Sequence, residues 1–279
     1  MVDWKRIHIW ALAHPNITLI RSKIVRVDAS HAVDDQGTIY NANEIIDASG
    51  HHSPFTTYHG NFVKRFQSFY GETIQFEHGF QHAQLMNWSL SFEPDAPPSF
   101  VYVLPLSSTS VFLEETVLVH ENPVLHMKKR LQQRKRALGI PLDAPVTMTE
   151  AYDLPMGGAL PLLTGMRAIG GAASMVHPAT GYMLTHMVEQ IPKLWQPATL
   201  TDQIRHRLND FGAFMLCRLE TNQDNALFFK YMFQTPWWYE FMTRRVGILR
   251  YVLNMIILFF IYPERMRLVT AAWNYCLPN

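Results

Sequence analysis

Apolar and polar residues alternate over residues 17–27, which predicts a strand, because successive strand side chains point to opposite faces. A turn is expected next at Asp34-Asp35-Gln36-Gly37, where glycine supplies a positive φ. Residues 38–42 and 44–48 read as two further strands, the second running into Asp47-Ala48-Ser49-Gly50. A strand ending in a glycine turn is typical of α/β sheets, whose ligands gather at the carboxyl ends of strands. Residues 67–76 and 83–92 read as strands joined by a His-rich loop, followed by a Pro-containing linker over 94–98. Residues 100–104 and 110–118 predict a hairpin around Pro105-Leu106-Ser107-Ser108.

The period then lengthens. Residues 122–138 have helical spacing, with Val124, Leu125, Leu131 and Leu138 near one face. Strands are expected at 148–154 and 166–172, a helix over 181–194 after Thr180, and a largely helical run over 201–233. The order is strand-rich, then helix-rich: an α+β arrangement with glycine turns beside strand ends. There is no internal repeat, no GxGxxG and no P-loop.

Composition narrows the partners. The chain has 279 residues, with 24 Lys+Arg against 23 Asp+Glu. That balance excludes a dedicated nucleic-acid binder, which needs net basic surface to neutralise phosphates. Apolar residues at 48% exclude general disorder, and charged residues at 17% are fewer than the roughly 25% of a typical soluble domain. Cys217 and Cys276 are too few for a disulfide framework or a zinc cluster. The longest uncharged apolar run, 251–262, is shorter than the ~20 residues a spanning helix needs. The start, Met1-Val2-Asp3-Trp4-Lys5-Arg6, lacks the pattern of a secretory signal.

Several constellations could carry chemistry. Glu114 and Glu115 are neighbours in the second hairpin strand, so they face opposite sides. Either one enters a cavity, where desolvation makes it a proton donor near neutral pH, or the strand is an edge with two solvated carboxylates. Gly170-Gly171 ends a strand ahead of His177-Pro178-Ala179-Thr180-Gly181 and a helix. Small residues let backbone approach a ligand there, and a helix amino terminus offers N–H groups to anionic oxygens; tight packing is the other reading. Pro155-Met156-Gly157-Gly158-Ala159-Leu160-Pro161 is a fixed, non-helical loop. Lys128-Lys129-Arg130 and Arg134-Lys135-Arg136 read as a solvated helix face, or one drawn to anionic lipid. His51-His52 and His78 with His82 have no Cys or carboxylate completing a metal set. Residues 228–241 hold Phe228, Phe229, Tyr231, Phe233, Trp237, Trp238, Tyr239 and Phe241, which suits a helical core, a monotopic membrane face or a channel for a long apolar substrate.

In this order the motifs resemble the lycopene cyclases of the plant and cyanobacterial type, flavoproteins related to aromatic hydroxylases and geranylgeranyl reductases. The resemblance is closest over 17–182 and most specific at Phe100-Val101-Tyr102-Val103-Leu104-Pro105-Leu106-Ser107-Ser108 with Phe112-Leu113-Glu114-Glu115-Thr116. The loop Pro155 to Pro161 and the run Gly170-Gly171 to Met183 look like family segments as well. Related flavoproteins carry Gly-Asp where this chain has Gly170-Gly171, and the cyclases share the Gly-Gly form. Asp47-Ala48-Ser49-Gly50 looks like the family's Asp-Ala-Thr-Gly turn beside FAD.

The resemblance implies an α/β fold of the FAD-dependent oxidoreductase type, with a substrate sheet and a helical carboxyl-terminal region. It implies acid-catalysed ring closure of an acyclic carotenoid such as lycopene, with no net redox change. A reduced FAD would stabilise cationic charge, with NAD(P)H as electron source. Glu114 would be the acid/base and Glu115 its partner or orienter. Asp47, Gly50, Gly157, Gly158, Gly170, Gly171, His177, Pro178, Thr180 and Gly181 would contact the cofactor. Residues 1–60 and 156–200 would belong to an FAD-binding domain, 61–155 to the substrate sheet and 201–279 to a membrane- or substrate-facing region. The expected place is the cytoplasmic side of a bacterial membrane, or a plastid-type membrane. Alternatives are a flavin-dependent isoprenoid reductase or hydroxylase, and a silent truncated paralogue that binds membrane or carotenoid. The family's opening dinucleotide fingerprint is missing, so 279 residues are expected to be part of a chain of about 400. Asn87 stands where the family has aspartate, and Ser49 where it has threonine.

Overall fold

The structure, a computed structural model, describes residues 4–51, 53–58, 65–89, 96–158, 160–162, 166–177, 180–197, 199–242 and 247–276. A helix, α1 (Trp4–Ala13), precedes a three-stranded antiparallel meander of β1 (Ile24–Val27), β2 (His31–Asp34) and β3 (Ile39–Asn41), then the short β4 (Ile46–Asp47). Next come β5 (Arg65–Gln75), β6 (Gln84–Asn87), β7 (Phe100–Ser107), β8 (Ser110–His120), α2 (Met127–Ala137), β9 (Val146–Met156) and β10 (Arg167–Ala168). Helices α3 (Leu184–Gln190), α4 (Leu200–Leu216), α5 (Asn222–Met232), α6 (Trp238–Met242), α7 (Ile248–Ile261) and α8 (Arg265–Cys276) complete the order.

The main sheet is antiparallel with strand order β6-β7-β8-β5-β9. The expected hairpin is there and longer than its pattern, with Ser107 pairing Ser110 across a two-residue turn. Pro105 is tolerated inside β7 because β6 pairs only as far as Val103, so no neighbour needs the missing N–H. Helix α2 covers one face, where Leu131 packs with Ile74, Val101, Val103, Val111 and Leu113. Beyond the β6–β7 side, Phe100 and Trp88 join Phe228, Phe229, Met232, Tyr251, Leu258 and Tyr262 in the larger core. Arg65 at the start of β5 pairs with Asp210 of α4 at 2.9 Å, both buried, and ties sheet to helices.

Several expectations change. The strand over 17–27 forms only from Ile24, because its partner β2 ends at Asp34, opposite Ile24. The helix expected over 122–138 begins at Met127, since His126 takes a left-handed φ of 62°, and Leu125 is left exposed. The strand over 166–172 shortens to Arg167–Ala168, and Gly170–Ala173 curls into a 3-10 turn. The run over 201–233 divides because Thr221 starts a new helix, its hydroxyl accepting the Asp224 N–H at 3.1 Å. Helix α3 starts at Leu184, with Gly181, Tyr182 and Met183 outside it, so the turn after His177 does not open directly into a helix.

Candidate active site

The central strand β8 carries the glutamate pair, and the pleat separates it. Glu115 points toward α2 and is fully buried. Arg134 Nε donates to its Oε2 at 2.8 Å, and an Arg134 terminal nitrogen donates to the Ser99 carbonyl at 2.7 Å. Burial still leaves the Glu115 carboxyl above its usual range, although Arg134 pulls it down. Lys135 of the same helix reaches Glu72 at 3.1 Å. The basic helix face is therefore only half solvated: Lys128, Lys129 and Arg136 are exposed, while Arg130, Arg134 and Lys135 are buried.

Glu114 faces the other way. Tyr102 on β7, Glu114 on β8, Gly71 on β5 and Glu150 on β9 stand in one row across the sheet. The Thr116 hydroxyl donates to Glu114 Oε1 at 2.7 Å. Burial, opposed by that hydrogen bond and reinforced by the Glu150 carboxyl, pushes the Glu114 carboxyl up to about 8. It lines a pocket of about 300 Å³ walled by Phe69, Leu85, Tyr102, Leu104 and Phe112. Thr180, Gly181, Tyr182 and Gln67 line the same pocket. Gly181 has φ +76°, a conformation that favours glycine, and the Gln67 amide lies where a Cβ would stand. The Tyr102 hydroxyl is held well above its ordinary range by burial, then by Tyr182 and Glu114.

A second group forms at the parallel pair of β4 and β10, where Arg167 and Ala168 pair with Ile46 and Asp47. Both strands end in glycine turns at the same edge. Gly50 has φ +95° and open space where a Cβ would stand, whereas a Cβ on Gly171 would come within 2.9 Å of the His51 nitrogen. Asp47 accepts from the Ser49 N–H and hydroxyl at 2.9 and 2.7 Å, from Thr56 at 2.6 Å and from Ser53. Burial raises its carboxyl, but these bonds outweigh that and hold it low, so Asp47 knots its own turn. His177 closes a turn in which its carbonyl accepts the Gly181 N–H at 2.9 Å. Gly157 and Gly158 follow β9 with φ +76° and +114°, and the Gly158 carbonyl meets His206 of α4. Pro178 lies outside the described residues. No cluster of three metal-ligating side chains occurs among the described residues.

The structure thus brings Glu114, Thr180 and Gly181 to one pocket and gathers Gly50, Asp47, Gly170 and Gly171 at one strand edge, with Glu115 apart from both. The sequence reading missed Gly71 and Glu150; a glycine inside a strand was the available signal. Asn87 donates to Gln84 at 2.8 Å and accepts the Ser89 N–H at 3.0 Å, away from the Glu114 pocket.

This architecture is the mixed α/β fold of the geranylgeranyl reductase type. A geranylgeranyl bacteriochlorophyll reductase-like protein from Thermoplasma acidophilum superimposes with TM-score 0.53 at 12% identity, covering 90% of this chain and 66% of that one, a likeness of fold alone. The family described as lycopene cyclase protein matches residues 10–239, and the chain belongs to that family. Capsanthin/capsorubin synthase of Citrus sinensis is 36% identical over 181 residues, 59% of this chain and 36% of that protein. Lycopene beta cyclase of Synechococcus elongatus is 30% identical over 263 residues, 81% of this chain and 63% of that protein. The matches thus span between about a third and two thirds of these relatives' length.

Proposed function

We propose that this chain carries the acid site of a carotenoid cyclase, which closes rings on acyclic ends such as those of lycopene without net redox change. The observation that supports this is Glu114: a carboxyl raised to about 8 in an aromatic pocket holds a proton where an alkene can receive it. The carboxyl protonates the terminal double bond, the cation closes a six-membered ring, and a ring proton returns to Glu114. Phe69, Tyr102 and Phe112 would supply π density to the cation. Glu115 is a structural anchor in this scheme, because its carboxylate is held by Arg134 on the far face.

The open backbone at Gly50 supports a flavin at the strand edge of β4 and β10, and Gly171 lets its turn pack directly on Gly50 and His51. FAD would be held by Gly50, Gly170, Gly171 and the His177–Gly181 turn, and Gly157 and Gly158 continue that side. When bound and reduced, with NAD(P)H as electron source, FAD supplies negative charge and π density near the cation. Residues 1–60 and 156–200 then form the flavin side, 61–155 the substrate sheet and 201–279 the lipid-facing side. Leu249 and Phe260 of α7 with Met266 and Trp273 of α8 are exposed apolar groups suited to a monotopic membrane contact. None of the described helices is long and apolar enough to cross a membrane.

A reductase or hydroxylase on the same fold would need hydride or oxygen chemistry but no buried proton donor, so Glu114 favours the cyclase. The test is expression of the completed chain in cells that accumulate lycopene, with ring formation read by chromatography. Unchanged pigment overturns the cyclase reading. Retained cyclisation in Glu114→Gln overturns that residue's role, and a hydrogenated product points to the reductase.

A further inference from the structure

Gly71 sits within β5, one of the three 11-residue strands of the sheet, where a glycine weakens pairing and leaves nothing to pack. Its neighbours explain it. Register places Glu114 on one side of Gly71 and Glu150 on the other. A Cβ at position 71 would stand 2.7 Å from the Phe112 ring and 3.1 Å from the Glu150 Cγ. The Phe112 ring and the Glu150 stem therefore fill the space over Gly71 that a side chain would take. Across that bare backbone the Glu150 carboxyl acts on Glu114 and helps to raise it.

The two glutamates differ in surroundings. Glu114 lines the pocket and is half-buried; Glu150 is on the edge strand, exposed, and is no part of the pocket wall. Its influence on a pocket-bound molecule must pass through Glu114. We infer that Glu150 is a positioning residue whose carboxylate, joined to Glu114 across the bare backbone of Gly71, keeps one shared proton on the pair and presents it from Glu114 to the pocket. This rests on the cyclase reading for what the proton does, though not for the pairing itself.

The pairing gives the proton cycle a return stroke. When Glu114 gives its proton to a carbon, a new C–H bond forms and two neighbouring carboxylates are left. Their repulsion favours taking a proton back from the ring, as the adjacent C–H bond breaks and its electron pair completes the ring double bond. Nothing is gained or lost over the cycle. The other groups facing Glu114 are Thr116 from its own strand, whose hydroxyl donation favours the anion, and Tyr102 from β7, whose hydroxyl burial holds well above its ordinary range and so neutral near pH 7. Glu150 is the carboxyl among these neighbours.

The experiment labels glutamate carboxyl carbons in the purified chain and follows their titration by NMR, with Glu114→Gln to assign the signal. The wild type should show a Glu114 midpoint near 8. In Glu150→Gln that midpoint should fall by about one pH unit or more, because repulsion is lost and the amide donates to the anion, while burial keeps part of the shift. Glu150→Asp should restore part of the difference. In the cyclisation assay the protonated acid is the active form, so the rate falls as pH rises through the midpoint. Glu150→Gln should therefore move the alkaline limb to lower pH in step with the NMR shift. A Glu114 midpoint unchanged in Glu150→Gln overturns the pairing, whatever the chain's activity. A moved midpoint with an unmoved limb, in a chain that does cyclise lycopene, overturns the positioning role. A moved midpoint in a chain that cyclises nothing upholds the pairing and overturns the cyclase reading instead.

Discussion

Two adjacent glutamates on one strand have been given opposite tasks by the two faces of a sheet. On the α2 face, Glu115 is buried among Leu113, Val117 and Leu131 and is matched by Arg134 at 2.8 Å. On the other face, Glu114 is half-buried, and its neighbours are a hydroxyl, a second carboxyl and aromatic rings. Burial raises both carboxyls; what separates them is the partner. A cation makes Glu115 a fixed ion pair. A like charge makes Glu114 a group that holds a proton and can release it. In the proposed scheme the motif Glu114-Glu115 is thus one anchor and one acid rather than two acids.

The largest effect that could break this contrast is on activity. Glu114→Gln should lower cyclisation by about 10²–10⁴-fold, the usual contribution of a general acid, without loss of folded protein. Arg134→Met should do the reverse. It leaves the buried Glu115 carboxylate without its cation and should cost about 3–5 kcal/mol in denaturant unfolding. Adding Glu115→Leu to Arg134→Met should recover most of that loss, because an apolar pair of similar volume carries no desolvation penalty. If Arg134→Met were no less stable than the wild type, Glu115 would not be an anchor.

A smaller effect concerns stability against pH. The folded-state value of Glu114, about 8, lies above its ordinary 4.5, so the folded form binds the proton more tightly than the unfolded one. That contribution is complete below about 4.5 and is lost as pH rises through about 8. Wild-type stability should therefore decline across that window, and the decline should be shallower in Glu114→Gln. Parallel slopes in the two proteins would mean that Glu114 is not desolvated in solution.

How much of this could be read beforehand differs along the chain. The hairpin and the glutamate pair were legible, since strand alternation alone fixes that neighbours face apart. Which glutamate faced the pocket did not follow from alternation, because that depends on β5 and β9 arriving from distant positions in one register; only the family resemblance pointed to Glu114. The same long-range pairing hid Gly71 and Glu150. Local charge also misled at α2: Arg130, Arg134 and Lys135 looked like a solvated face, but Glu72, Glu115 and the carbonyls of Pro97 and Ser99 receive them in the interior. Helix α1 escaped notice because its apolar Ile7, Ile9, Trp10 and Leu12 do not keep to one side and all stay exposed.

The smallest expected effect tests how far the charged character of the Glu114 face extends. Asn87 stands where the family has aspartate, and the loss of a charge there invites the idea of a weakened site. The geometry argues otherwise. Asn87 Oδ1 accepts the Ser89 N–H at 3.0 Å, a bond a carboxylate oxygen would accept equally well, and only the amide donation to Gln84 at 2.8 Å would go. Gln84 can turn its own amide to donate instead. Asn87 is also no part of the pocket that holds Glu114. Asn87→Asp should therefore change unfolding free energy by no more than about 0.5–1 kcal/mol and leave the pH dependence of cyclisation where it was. A gain of tenfold or more in cyclisation, or an alkaline limb displaced upward, would mean that a carboxylate at position 87 acts on Glu114 over a longer range than the Glu150 contact, and the division between one anchor and one acid would have to admit a third charge.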